Sequence, residues 1–181
     1  MKYFNMSRMV KKLLPVIENV SISKKNDGFI SVSNDKGTIL INTNNLVDFE
    51  NTDNNLKFIS LTNEDNGMLG TIYVLVKDAM QDLTNGYEAK LKMIGVGFKA
   101  GVNGKFLRLY IGLSHDVVVA IPDGLSVSVD ADVNINIKGY DRAKVKQFAC
   151  SIRSLKKPEP YKGKGIFLND EKIIRKEGKK K

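Results

Sequence analysis

The chain has few of the residues that several classes of protein require. It contains one cysteine, Cys150, and one histidine, His115. A single cysteine cannot form an internal disulfide, and these two residues alone cannot build a cysteine- or histidine-based metal site. No apolar run exceeds about five residues, so no segment is long enough to cross a bilayer as a helix. With 4 Pro and 42% hydrophobic residues in 181, the composition is also not that of a disordered protein.

The first residues lack a secretory signal. Residues 1–18 are basic but contain no central apolar stretch, so we expect a protein that stays inside the cell and folds as an ordinary globular chain.

Positive charge is concentrated at one end of the sequence. Residues 1–82 hold 9 basic and 10 acidic residues, residues 83–137 hold 5 of each, and residues 138–181 hold 15 basic and 5 acidic. The whole formal net charge of +9 therefore comes from the last segment. A local excess of this kind favours an anionic partner, either nucleic acid or an anionic membrane.

The pattern of hydrophobic residues predicts several strands followed by one helix, twice. In the first half, β-branched runs separated by turn residues predict strands over 20–23, 29–32, 38–41, 46–49 and 57–61. Apolar residues at helical spacing then predict a helix over 70–83, formed by Ile72, Leu75, Val76, Ala79, Met80 and Leu83.

The second half repeats this order. Strands are predicted over 87–94, 96–102, 106–111, 117–121, 126–129 and 133–138, and Asp141 is placed to cap a helix that ends near Leu155. We therefore predict an α+β fold of two tandem similar domains, 1–82 and 83–181. Each domain has a small, mostly antiparallel sheet with a packed helix, and a basic C-terminal tail starts at about 156.

The segment 156–166 carries the strongest binding signal. Its two prolines predict a stiff, extended backbone, and Tyr161 could stack on a base or a ribose. In an extended chain Lys162 and Lys164 point the same way, while Gly163 and Gly165 would let backbone amides approach phosphates. The final basic residues, 173–181, predict a tail that orders only on a polyanion. The alternative interpretation of the segment is a basic surface loop without a ligand.

These residues also resemble a known family. Residues 158–166 (PEPYKGKGI) closely resemble the signature of bacterial-type large-subunit ribosomal protein six, a member of the universal L-six family. Further similarity to the family lies at residues 6–8, 70–87, 91–100, 113–115 and 175–181, whereas 19–66 in the first domain is divergent.

The resemblance implies two similar α+β domains without enzymatic activity. It implies a structural role in the large ribosomal subunit, where the second domain and tail bind rRNA near the sarcin–ricin loop and the base of the factor-binding stalk. Partners would be large-subunit rRNA and neighbouring ribosomal proteins, without cofactor, metal, small-molecule substrate, membrane or homo-oligomer. The implied rRNA-binding residues are Lys156, Lys157, Tyr161, Lys162, Gly163, Lys164, Gly165, Arg175, Lys176, Lys179, Lys180 and Lys181, to which Arg153 and Lys99 add less constrained positions.

Other functions fit the residues less well. An accessory RNA-binding protein or RNA chaperone would use the same tail without being built into the ribosome. For an enzyme, Ser114, His115 and Asp116 are adjacent in a predicted extended segment and cannot form a triad among themselves. Cys150 has no second histidine to activate it and is expected to be a half-buried thiol.

Composition gives a hint about origin. The chain has 24 Lys against 5 Arg, together with 17 Asn, which suggests an AT-rich genome. The expected location is therefore the ribosome of an organelle, with the mitochondrial matrix preferred, or of a bacterial cytoplasm.

Overall fold

The computed structural model describes residues 13–178 apart from 18, 26–27, 53–54, 62–65 and 170. The chain divides into two compact units, of which the first ends at Gly86 and the second begins at Tyr87.

The first unit contains, within its described residues, two three-stranded antiparallel sheets and one helix. One sheet has the strand order β1–β6–β5 and the other β2–β3–β4. Its elements are β1 (Leu14–Pro15), β2 (Ser21–Lys25), β3 (Phe29–Asn34), β4 (Gly37–Asn42), β5 (Val47–Thr52), β6 (Asn55–Ser60) and α1 (Asn66–Asn85).

Helix α1 covers the core of the first unit. Ile72, Val76 and Leu83 of the helix are buried with Val32 of β3 and Leu56 of β6. Burying these side chains supplies the main stabilisation of the unit, since each full burial is worth about 1.5–3 kcal/mol.

The second unit contains the corresponding elements and one additional strand. Among its described residues, one sheet has the order β11–β12–β7–β13 and the other β10–β9–β8, with every neighbouring pair antiparallel. Its elements are β7 (Tyr87–Ile94), β8 (Lys99–Asn103), β9 (Phe106–Tyr110), β10 (Val117–Ala120), β11 (Leu125–Asp130), β12 (Asn134–Gly139), α2 (Arg142–Leu155) and β13 (Gly165–Leu168).

The two units share one topology. In each unit one strand is followed by a three-stranded meander, then by two further strands and a helix. The first strand of the unit pairs with the strand that directly precedes the helix. The sheet β1–β6–β5 thus corresponds to β7–β12–β11, and β2–β3–β4 to β8–β9–β10. This repeat confirms the predicted α+β fold of two similar sheet-and-helix domains. Strand β13 is the addition in the second unit, and it pairs with the free edge of β7.

Helix α2 begins as predicted. The Asp141 carboxylate accepts hydrogen bonds from the backbone amides of Ala143 and Lys144, at 3.0 and 3.3 Å. This N-cap satisfies two of the amides that a helix leaves without a partner in its first turn. Val145 and Ile152, on the inner face of the helix, are fully buried against the sheet.

Several predicted details were wrong at the level of single elements. Strands β1 and β13 are not among the predicted strands, and β5 and β6 extend beyond the predicted strands 46–49 and 57–61 into the polar residues between them. The predicted strand over 96–102 starts only at Lys99, because the preceding residues form a turn.

The predicted apolar stripes also shift at their edges. In α1 the buried stripe includes Leu69 and Tyr73, so Leu75 lies on its flank and is exposed. In α2 Leu155 is partly exposed because it is the last helical residue, and Cys150 is exposed because it turns away from Ala149 and the core. The expectation of a half-buried thiol was therefore wrong.

In the part of the chain that the structure describes, no helix is both long and apolar enough to cross a membrane. The same residues contain no group of three or more His, Cys, Asp or Glu side chains that could hold a metal ion.

Candidate nucleic-acid interface

The candidate interface lies where α2 connects to β13. We define the basic loop as residues 156–164, which bridge the end of the helix at Leu155 and the start of the strand at Gly165. The basic loop contains four lysines and one acidic residue, Glu159. Residues 171–178 follow β13, and we call them the tail.

The basic loop is folded back on itself rather than extended. The Glu159 amide donates to the Lys164 carbonyl at 2.8 Å, and the Gly163 amide donates to the Glu159 carbonyl at 3.0 Å. Gly163 has a φ of +67°, which a non-glycine residue adopts at a steric cost. The predicted extended backbone was wrong, because these two hydrogen bonds close the loop between its prolines and its glycines.

Gly163 in the loop and Gly165 directly after it allow the loop to close. A Cβ on Gly165 would lie 2.6 Å from Pro158 Cα and 2.8 Å from the Lys157 carbonyl oxygen, so only glycine fits there. The Gly163 amide is already bonded within the loop. The Gly163 amide is therefore used within the loop, and the approach of backbone amides to phosphates stays a prediction.

Closure of the loop leaves its cationic side chains in solvent. Lys157, Lys162 and Lys164 are exposed, and the Tyr161 side chain is 54% exposed. Lys156 is half-buried at the end of the helix, where its carbonyl accepts a hydrogen bond from the Ile166 amide at 2.9 Å. Exposed cations and an exposed aromatic ring on the same loop are typical of a surface that binds RNA by phosphate contact and stacking.

The tail lies against the basic loop. The Lys176 amide donates to the Pro160 carbonyl at 2.9 Å, and the Arg175 guanidinium lies over Gly163. Up to Lys176 the tail is thus held by the protein itself, which corrects the expectation that it orders only on a polyanion. Lys179, Lys180 and Lys181 lie outside the described residues.

An ion pair fixes the start of the tail. Arg153 Nε and Nη2 contact the two carboxylate oxygens of Glu171 at 2.8 and 2.5 Å, and both side chains are about 30% exposed, at 31% and 29%. The hydrogen bond from Arg153 lowers the pKa of the Glu171 carboxyl, and the same bond raises the pKa of Arg153. Because this pair joins α2 to the residues after β13, Arg153 positions the start of the tail. That Arg153 also contacts rRNA stays a prediction.

Lys99, the other additional candidate, lies outside the loop and tail. It is the first residue of β8, where it is exposed and stands opposite Tyr110 of β9.

The residues considered for catalysis are not brought together. Asp116 pairs with Arg108 at 3.3 Å, and His115 is exposed in the same loop.

Sequence reasoning missed Glu171 as part of the interface. Its acidic side chain interrupts a basic segment, and the spacing from Arg153 gives no signal because β13 lies between the two residues. The pairing of β13 with β7 brings Glu171 back to α2, and the sequence of β13 alone does not reveal that pairing.

The chain is similar to proteins of one family. The family model for ribosomal protein L6 matches residues 94–167. The large ribosomal subunit proteins uL6 of Leptothrix cholodnii and Variovorax paradoxus are each 42% identical over 178 residues, which covers 97% of this chain and all of theirs. The uL6 protein of Latilactobacillus sakei is 37% identical over 96% of this chain and 98% of its own. The similarity therefore extends through the first unit, which the sequence had marked as divergent.

Proposed function

The chain belongs to the uL6 family of large ribosomal subunit proteins, and from this premise we propose that it binds large-subunit rRNA through the basic loop and the tail. The family is structural, and the protein is not an enzyme. Its role is to be a constituent of the large ribosomal subunit and to support translation there.

The observation that carries the proposed binding site is the arrangement of the loop and tail. Lys157, Tyr161, Lys162 and Lys164 are all exposed on one short loop, and the tail brings Lys176 to Pro160 and Arg175 to Gly163 of that loop. Each lysine or arginine that meets a phosphate releases bound counterions, which supplies most of the affinity. The loop is already closed by its own hydrogen bonds, so it loses little entropy on binding. We expect this preformed surface to recognise the shape of the RNA rather than its base sequence.

We place this site near the sarcin–ricin loop and the base of the factor-binding stalk. The support is the close resemblance of residues 158–166 to the family signature, together with the exposure of the loop. Neighbouring ribosomal proteins would complete the environment. These uL6 relatives are bacterial, so we assign the protein to a bacterial ribosome rather than to an organelle.

Directed hydroxyl-radical probing tests the placement. In a Cys150→Ser background, an iron chelate is attached at Lys162→Cys, and large subunits are reconstituted around the labelled protein. Radicals generated there cut only nearby RNA. We expect the strongest cleavage at and around the sarcin–ricin loop. Cleavage centred on another rRNA domain would overturn the placement, and the absence of cleavage in assembled subunits would overturn the binding site itself.

A further inference from the structure

The connection between β7 and β8 presents an apolar side chain to solvent. Residues 95–98 form a tight turn in which the Phe98 amide approaches the Gly95 carbonyl at 3.4 Å, and Gly97 has a φ of +75°. A glycine at the third position is what a type II turn requires. Val96 lies at the tip with its side chain 90% exposed, so it contributes nothing to the core.

The turn is supported from beneath by an aromatic ring. Phe98 is 8% exposed, and a Cβ on Gly95 would lie 2.7 Å from its ring. The same ring is 3.3 Å from where a Cβ on Gly112 would be. Because Gly95 and Gly112 have no Cβ, the backbone packs closely against the Phe98 ring at both positions. This packing fixes the position of Val96 at the tip of the turn. A side chain that is already fixed loses little freedom when it binds.

Strand pairing places this turn beside the basic loop. In the β7–β13 ladder Ile94 stands opposite Gly165. The chain just after Ile94 is the turn, and the chain just before Gly165 is the basic loop, so both leave the sheet at the same end. Lys99 follows the turn and Lys164 precedes the strand, so exposed cations lie next to the turn on both sides.

We propose that the turn 95–97 is a second RNA-contacting element, in which Val96 packs against a ribose or base edge of the strand whose phosphates the basic loop holds. The flanking lysines favour a polyanion over an uncharged protein surface. Exposed apolar side chains on rigid supports are used in this way against the minor groove of nucleic acids. The inference rests on the proposed function, because it assigns the turn to the same RNA.

Two matched valines make the test selective. Val118 is 50% exposed on β10, which β9 separates from β8, and it serves as the control. We would compare Val96→Asp with Val118→Asp for binding to full-length bacterial large-subunit rRNA transcribed in vitro. Both variants add the same charge. The expected result is a loss of about tenfold in affinity for V96D and less than about twofold for V118D.

Tethered cleavage separates contact from a general charge effect. Iron attached at Val96→Cys should cut the rRNA segment that Lys162→Cys cuts, whereas Val118→Cys should give a different or weaker pattern. If V96C cuts elsewhere or not at all while K162C cuts, the turn does not contact this RNA. If K162C also fails to cut, the proposed binding site fails first. Equal affinity losses for V96D and V118D would contradict the inference as well.

Discussion

At the scale of single residues, the pairing of Arg153 with Glu171 sets where the tail starts. Two charge-assisted hydrogen bonds at 2.8 and 2.5 Å join the guanidinium to the carboxylate, and the Glu171 carboxylate also accepts from the Leu168 amide at 3.4 Å. Paired geometry of this kind is stronger than a single surface ion pair. The partial exposure of both side chains limits its worth to about 1 kcal/mol.

The order of the tail should therefore depend on pH. The pKa of Glu171 is lowered below its usual 4.5 by the bond from Arg153. A carboxyl with a depressed folded-state pKa stabilises the fold at pH above its unfolded value, and this contribution is lost as the pH falls through the folded value. We expect protection of the Lys176 amide against hydrogen exchange to be full at pH 6 and to decrease as the pH falls below about 4.5.

Glu171→Gln supplies the control for this dependence. The variant cannot form the charged pair, so the Lys176 amide should exchange faster at pH 6, and acid should change its exchange no further than the intrinsic chemistry of exchange does. A local readout is needed because the pKa of Asp48, in the first unit, is also lowered, through its bond from Lys24. Identical protection profiles in the wild type and E171Q would show that the pair does not hold the tail.

Gly165 should be intolerant of any side chain. It has a φ of +147°, and an added Cβ would lie within 2.8 Å of the Lys157 and Pro158 backbone. We expect Gly165→Ala to lower the free energy of unfolding by about 2–4 kcal/mol, since backbone strain and steric overlap add. Gly101→Ala is the matched control, because Gly101 has open space around it in the same unit. Equal denaturant midpoints for the two variants would contradict the close approach.

At the scale of elements, local patterns predicted α2 well and the basic loop poorly. Asp141 caps the helix through amides two and three residues away, so the sequence holds all the information that the cap needs. The fold of the loop depends instead on the approach of Gly165 to Pro158 and on β13 pairing with β7. That pairing joins residues about 70 positions apart, as Gly165 with Ile94, and no short-range pattern encodes it.

The same distinction explains what was predicted of the candidate site. The family signature identified Tyr161, Lys162 and Lys164, and these side chains are exposed on the loop. The pairing of Arg153 with Glu171 and the hydrogen bond of the Gly163 amide to the Glu159 carbonyl were not predicted, because both depend on backbone folding that composition does not specify.

The basic loop should dominate the salt dependence of binding. With ~6–8 phosphate contacts, the slope of log affinity against log salt should lie between about −4 and −8. Replacing Lys162 and Lys164 by Ala should weaken binding to large-subunit rRNA and reduce the magnitude of that slope by about 2, one for each lost phosphate contact. Filter binding across a series of salt concentrations measures both quantities.

A matched pair of lysines in the first unit provides the comparison. Lys25 and Lys57 are exposed on strands there, so Lys25→Ala/Lys57→Ala removes the same charge. We expect its slope to stay close to that of the wild type. If both double variants changed the slope equally, net charge rather than the basic loop would account for the affinity.

At the scale of the whole molecule, two units of similar topology carry different charge. Residues 1–86 hold 9 basic and 10 acidic residues, whereas residues 87–181 hold 20 basic and 10 acidic. Topology is determined by buried apolar residues, and both units have such cores. Surface charge can vary over the same topology, so one repeat of the fold can become the RNA-binding unit. The additional strand β13 belongs to the second unit, which we propose binds RNA, and there it connects the basic loop to the tail.

The most direct test of the central claim is sedimentation of the protein in a native lysate. The chain would be followed across sucrose gradients at low and high salt, with the Lys162→Ala/Lys164→Ala variant run beside it. A constituent of the large subunit should migrate with that subunit, at one copy per particle, and remain there through a high-salt wash. Release as free protein at moderate salt, or a substoichiometric amount on the large subunit, would contradict the account and favour an accessory RNA-binding protein.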